Sequence, residues 1–388
     1  MKKNTVVVII TAVILYVLAA SASYLFFAKA SPQIVSSPLP APATGTNGTL
    51  VFNNSLPKTQ ACPINGALYS KQQEQWWQKH RPLGVMIENS IDARPQSGLS
   101  GADTIYEAVA EGGITRFLAI FYCQDAGEVG PVRSARTYYV DFMSEYGDSP
   151  LYAHVGGANQ PGPADALTQL TTYGWTGYND LNQFSIGFPT FWRDYGRLPN
   201  VATEHTMYSS VDKLLTYADT SRGLTNVDKQ GNSWDKSFIP YQFIDDAPAS
   251  QRPASQSIHL EFWTSDPNYY VDWSYDPKAN DYKRVNGGNP QLDKNTGKQL
   301  TAKNVVILEM VEDNANDGYV ANDHLLFEDK GTGKAVVFKD GKRINGTWEK
   351  DTRTSRTIIR DASGTQVKFD RGLIWFEVLP TDGVLTVK

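Results

Sequence analysis

Much of the usual apparatus of catalysis is missing from this sequence. Its 388 residues include two cysteines and five histidines. Neither HExxH nor a comparable spacing occurs, so no zinc site of about three converging ligands is expected. No GxSxG, Walker or dinucleotide fingerprint is present, which argues against cofactor-dependent chemistry. Clustered positive charge is also lacking: 36 Lys and Arg stand against 41 Asp and Glu, a net charge of -5, and the basic residues are scattered. A nucleic-acid partner is disfavoured, because phosphate binding at physiological salt needs concentrated positive charge.

One long apolar run is present, Thr5 to Phe27, without a charge. It is long enough to cross a bilayer as a helix. Lys2 and Lys3 before it should stay cytoplasmic, which makes a single-pass cell-membrane protein with most of the chain extracytoplasmic. Ala28-Lys29-Ala30 before Ser31 has the form of a signal-peptide cleavage site, but the run exceeds the roughly 7 to 15 residues of a signal h-region, which favours an uncleaved anchor over residues 1–30. No cysteine stands at its end to take a lipid. Cys62 and Cys123 in an exported chain fit either a disulfide, closing a loop of roughly 60 residues, or two separate thiols.

Residues 31–80 read as a Pro-, Ser- and Gly-rich linker followed by a short helix. Residues 81–218 alternate short buried strands with helical spacing, an α/β domain with a mixed sheet. Residues 219–257 are polar and proline-containing, an insertion or linker. Residues 258–388 are mostly antiparallel β structure, with Asp340-Gly341, Asn345-Gly346 and Ser363-Gly364 as tight turns. Glu312 to Gly318 (EDNANDG) misses the alternate acidic positions of a calcium loop and reads as a solvated turn.

The segments RPLGVMIENS (Arg81 to Ser90), ARPQSGL (Ala93 to Leu99), GGITRFLAIF (Gly112 to Phe121), GPVRSAR (Gly130 to Arg136) and HVGG (His154 to Gly157) resemble the YerB-like family of exported bacterial proteins. KAVVFKDGKRINGTWEK (Lys334 to Lys350) and FDRGLIWFEVLP (Phe369 to Pro380) are similar to that family's second domain. The resemblance implies an envelope protein and no defined chemistry, since the domain's function is unknown.

Arg94, Arg116, Arg133 and Arg136 fall within one compact segment, beside turns. Guanidinium groups bind phosphate or carboxylate through paired hydrogen bonds, and Arg133 and Arg136 precede a helix start, where free N–H groups add positive potential. An anionic envelope ligand is one reading, with a cell-wall precursor or anionic glycopolymer as the partner. The other is that these arginines pair with Glu107, Glu111 or Asp141 as structural ion pairs, as expected of a structural or scaffolding envelope protein whose aromatic-rich loops bind protein partners. His154, at a strand end beside Gly156, is a further candidate for ligand binding or a polar cap. His205 follows Glu204 without an assigned role.

The layout is also similar to the LytR-CpsA-Psr glycopolymer transferases. Asp92 and Arg94, Asp103, Arg133 or Arg136, and Gly156 with Gly157 match that family's Asp-x-Arg, Asp-Thr, Arg and Gly-Gly positions, while its Pro-Arg-Asp step is absent. This similarity implies Mg²⁺ held by Asp92 and Asp103, and transfer of a glycosyl phosphate from a polyprenyl pyrophosphate, with the arginines neutralising the leaving group. It requires the two aspartates to sit beside the arginines.

Overall fold

The computed structural model describes residues 3–29, 39–45, 49–319 and 323–388. Residues 30–38, the opening of the expected linker and part of the cleavage-site sequence, lie outside the described residues. The chain divides into two compact units, Met1–Ala41 and Pro42–Lys388. The first contains a 27-residue helix, α1 (Lys3–Lys29), on which Val7, Ile10, Val13, Leu15 and Leu18 are exposed. Among the fully described residues no helix is long and apolar enough to cross a membrane, so a single-pass anchor rests on the sequence.

The second unit is built on a mixed sheet of ten strands. Labelled in chain order within that sheet, they are β1 (Leu83–Glu88), β2 (Thr104–Glu111), β3 (Ile114–Phe121), β4 (Leu151–His154), β5 (Asp180–Asn182), β6 (Asn304–Met310), β7 (Gly331–Lys339), β8 (Lys342–Lys350), β9 (Ile358–Asp361) and β10 (Ile374–Pro380). Their spatial order is β5-β4-β1-β3-β2-β10-β6-β7-β8-β9. Five come from the first half of the chain and five from the second. They meet at one parallel seam, where β2 pairs with β10 and Glu107 lies opposite Glu377.

Layers on both faces explain why β1, β2, β3 and β10 read as continuous apolar runs. Against one face packs the short helix Thr137–Met143, whose Phe142 stacks on Tyr106, itself stacked on Phe376. Against the other packs an antiparallel sheet that includes Ser257–Glu261, Val271–Asp276, Asp281–Asn286 and Val384–Val387. Its strands alternate: Val271, Trp273 and Tyr275, then Tyr282, Arg284 and Asn286, point inward, the period of a sheet with one covered face.

The inward arginine is the unexpected member of that series. Arg284 is fully buried and pairs with Glu107 of β2 and, at 2.7 Å, with Glu377 of β10. Its guanidinium lies 4.4 Å from the ring centroid of Trp375 and 5.1 Å from that of Trp273, whose Nε1 donates to Glu377 at 2.8 Å. Glu107 therefore belongs to this cluster and not to the arginines of the first half. Two buried carboxyl groups, Glu107 and Glu377, thus share the one guanidinium of Arg284. Burial pushes the Glu377 carboxyl up, and the neighbouring Glu107 adds to the rise against the pull of Arg284.

The segments expected to link domains are partly structural. Trp234 and Tyr241, from 219–257, are buried, and Tyr241 packs edge-on to Phe369. Before residue 80, Lys58–Ala61 pairs with Leu68–Ser70, and a helix follows over Lys71–Trp77 whose Ser70 and Gln73 form a reciprocal cap. Cys62 and Cys123 are joined as a disulfide across a separation of 61 residues, a constraint worth about 4 kcal/mol in the chain-entropy account. Such pairing of aromatic side chains with polar turns is why composition alone reads these stretches as linkers.

A Glu377 carboxyl raised by burial in the folded state alone makes stability depend on pH. Unfolded, the group loses its proton above its ordinary value of about 4.3, so its contribution is complete below that value and declines as pH rises above it. Glu377→Gln supplies the same donor and acceptor permanently. In denaturant titrations across pH 4 to 9, the wild type should lose more stability with rising pH than Glu377→Gln; parallel curves would show that the carboxyl is not raised.

Candidate functional site

β1, β4 and β5 are parallel neighbours, and their carboxyl ends fall at Glu88, His154 and Asn182. In open α/β sheets ligands bind outside such ends. The segment GPVRSAR crosses there: Arg133 N donates to Met86 O at 3.0 Å, Val155 N to Arg133 O at 3.0 Å and Ala135 N to Gly156 O at 2.9 Å. Above it opens a cleft of about 510 Å³ walled by Arg133, Ser134, Gly156, Gly157, Phe184, Arg193 and Glu204.

The charges behind this cleft are tightly organised. Glu111, at the end of β2, accepts from Arg116 at 2.9 Å and from Arg136. Burial alone would raise the Glu111 carboxyl, but the two guanidinium groups override it and hold it at about 2. Glu88 pairs with Arg133 Nε at 3.2 Å and with His205 Nδ1 at 2.9 Å. That hydrogen bond to Glu88 raises the His205 imidazole above its usual value. Glu111 is thus shared by Arg116 and Arg136, while Glu88 is shared by Arg133 and His205. Arg133 is the accessible member, its side chain 25 % exposed, and among the described residues its two terminal nitrogens have no hydrogen-bond partner.

The remaining residues singled out from the sequence are distributed as follows. Arg116 and Arg136 are buried ion-pair partners of Glu111, the structural alternative, and form the wall behind Arg133. Asp141 pairs with Lys330, not with an arginine. Arg94 lies outside the cleft: it donates to Asn89 O and Asn268 O and stacks over Tyr269 at 5.1 Å, tying its loop to the antiparallel sheet. His154 is fully buried with both ring nitrogens engaged, Nδ1 with Gly156 O and Nε2 with Asp180 Oδ1, each at 2.6 Å. It reaches no ligand and fixes the Gly156 turn.

Asp92 and Asp103 do not come together, which corrects the expected Mg²⁺ pair. Asp92 sits exposed in the turn Ile91–Ala93 beyond the carboxyl end of β1. Asp103 precedes β2, beside Ile120 and Tyr122, at the end opposite Glu111. The eight residues of β2 separate Asp103 from Glu111 and its arginines, roughly 25 Å of extended chain. Asp103 is fully buried, where it accepts from Tyr122 N, Cys123 N and Asn65 Nδ2, all at 2.8 Å. Burial lifts its carboxyl to about 7 against those hydrogen bonds. Cys62, Asp103 and Cys123 approach closely enough to suggest a metal group, but both sulfurs are used in the disulfide. Asp103 is the polar lock of that corner.

Phe184, Arg193, Glu88, Glu204 and His205 were not assigned roles from sequence. Arg193 lies within, and Glu204 follows, a glycine- and aromatic-rich stretch without periodicity, Gly174 to Asn200. The one available signal is Asn182 ahead of Phe184, a helix-capping type in what otherwise reads as loop.

The Glu111 pairings carry a testable consequence for acid stability. Because the folded carboxyl titrates at about 2 and the unfolded one near 4.3, its contribution is present above about pH 4.3 and is lost as pH falls toward 2. Glu111→Gln should therefore be less stable than the wild type at pH 6, with the gap narrowing toward pH 2 in urea titrations. A gap that stays constant with pH would contradict the assignment.

Comparison with known proteins places the chain. Residues 68–225 match the N-terminal domain, and residues 258–376 the C-terminal domain, of a family described as protein of unknown function (DUF3048). A protein named "Putative lipoprotein YerB" from Bacillus subtilis strain 168 is 31% identical over 337 residues, 84% of this chain and 89% of that protein. The crystal structure of YerB from Bacillus subtilis superposes with a TM-score of 0.68 at 26% identity, covering 84% of this chain and all of that one. The chain thus belongs to the DUF3048 family, to which both of its halves contribute and in which YerB is a relative.

Proposed function

We propose that the protein is anchored in the cell membrane by α1 and holds an anionic envelope ligand, bearing phosphate or carboxylate, in the cleft of Arg133 and Arg193. The observation that carries this reading is the half-buried Arg133 guanidinium, held by Glu88 at Nε, with its terminal nitrogens unpartnered among the described residues, lining the cleft and backed by two further arginines that Glu111 fixes in place. A guanidinium with free terminal nitrogens is a ready bidentate partner for such oxygens. Chains of this kind on the outer face of a membrane meet anionic wall polymers and their precursors.

The lipoprotein name of the Bacillus relative supports membrane attachment. Here the attachment would take another form, since both cysteines of the chain are joined to each other and none is left for a lipid. The uncharged run from Thr5 to Phe27, on which Val7, Ile10, Val13, Leu15 and Leu18 are exposed, would bury itself in the bilayer instead. The transferase reading has no comparable support, because its two aspartates stand at opposite ends of the sheet.

Binding of inorganic phosphate to the full chain in detergent, measured by calorimetry at low salt, tests the anion site. Arg133→Ala should weaken it by at least about tenfold, the order expected for losing one charge-assisted pair of hydrogen bonds. Its melting temperature should fall only modestly, because Glu88 loses one partner but keeps His205. Equal binding by wild type and variant would end this reading.

A further inference from the structure

We infer that the ligand of this cleft is a carbohydrate carrying the anionic group, seated with a sugar face on Phe184. This inference rests on the anion reading above and adds its substrate class. Phe184 is 77 % exposed and yet not free to wander. Its backbone N donates to Asn182 Oδ1 at 3.1 Å, and the same oxygen accepts from Gly156 N at 3.1 Å. One carboxamide thus fixes the two turns that make the cleft wall.

The ring also lies against Gly156, where an added Cβ would sit 2.9 Å from Phe184 Cε2, and Gly156 has φ +59°. A side chain there would be strained and would push the ring away. His154 holds the far side of the same turn through Gly156 O, and Asp180 holds His154. A large apolar ring kept in water by three buried or capping polar groups is a built surface, and it faces the same cleft as Arg133.

The other walls decide what packs on it. Glu204 and Asn159 are exposed on the cleft, and each offers acceptor oxygens for hydroxyl groups. An inorganic anion has no use for the ring, and an acyl chain none for a carboxylate and an amide. A sugar bearing a carboxylate or phosphate uses all of them: the charge on Arg133, hydroxyls on Glu204 and Asn159, and an apolar C–H face on Phe184. The cleft volume of about 510 Å³ falls within the range of small-molecule sites.

The test uses the full chain in detergent with trigalacturonate and glucose 1-phosphate as anionic carbohydrates, maltotriose as a neutral one, inorganic phosphate as the bare anion, and phosphatidate vesicles as the lipid source. At least one anionic carbohydrate should bind more tightly than phosphate and than maltotriose. Phe184→Ala should weaken that carbohydrate about tenfold, leave phosphate binding unchanged, and keep the wild-type melting temperature, since the ring is exposed. Arg133→Ala should weaken both. Carbohydrate binding indifferent to Phe184→Ala, or vesicle binding that needs Phe184 while neither carbohydrate binds, would overturn the assignment and leave the anion site standing. Absence of phosphate binding by the wild type would remove the anion site, and this inference with it.

Discussion

Arg284, enclosed between Glu107 and Glu377, is the interaction on which the architecture of residues 42–388 depends. Each partner comes from a different piece of chain: Glu107 from the first half of the main sheet, Glu377 from the second, and Arg284 from the antiparallel sheet stacked over their seam. Burying an ion is costly unless its partners are complete, and here they are nearly so, with Gln291 on Arg284 Nε and Trp273 on Glu377. Removing one partner of such a cluster typically costs about 3 to 5 kcal/mol. The cluster also specifies which strands meet, since a shifted register would leave charges inside without their counterparts.

A fixed seam holds β2 in place, and β2 carries the charge arrangement of the cleft at its far end. Glu107 and Glu111 lie on this one strand: the first is committed to Arg284, the second to Arg116 and Arg136. The strand therefore links a structural clasp to a candidate binding surface. On the other side of that surface, His154 and Asp180 on β4 and β5 set the Gly156 turn, so the wall formed by Gly156 and Gly157 is held at strand ends.

Much of this was legible in the sequence, and the limits have physical causes. The buried strands Leu83–Glu88, Thr104–Glu111 and Ile114–Phe121 are short apolar runs bounded by turn residues, and the antiparallel second half declares itself through turns at Asp340-Gly341 and Ser363-Gly364; Asn345-Gly346, expected as a third turn, instead lies within β8, paired with Val336 and Ala335. The YerB-like segments identified the family. The single sheet shared by the two halves was not visible, because nothing in β2 or β10 taken alone says that they are neighbours. Among the arginines, type and proximity pointed to Arg133, but only the fold separates it from Arg116 and Arg136, which are spent on Glu111. Asp103 looked like a metal ligand because, with Asp92 and the arginines, it fits the layout of the LytR-CpsA-Psr transferases; its carboxylate instead caps Tyr122 and Cys123 beside the disulfide. Phe184 escaped notice, as exposure cannot be read from a lone aromatic in an aperiodic stretch.

The most direct measurement of the central claim, that the cleft at the ends of β1, β4 and β5 is an anion site, is a crystal of the protein soaked in selenate, with the anion located by its anomalous scattering. The account predicts a peak within hydrogen-bonding distance of the Arg133 guanidinium, on the side of Arg193. Selenate bound elsewhere on the surface, with Arg133 turned into an ion pair with Glu204, would contradict it.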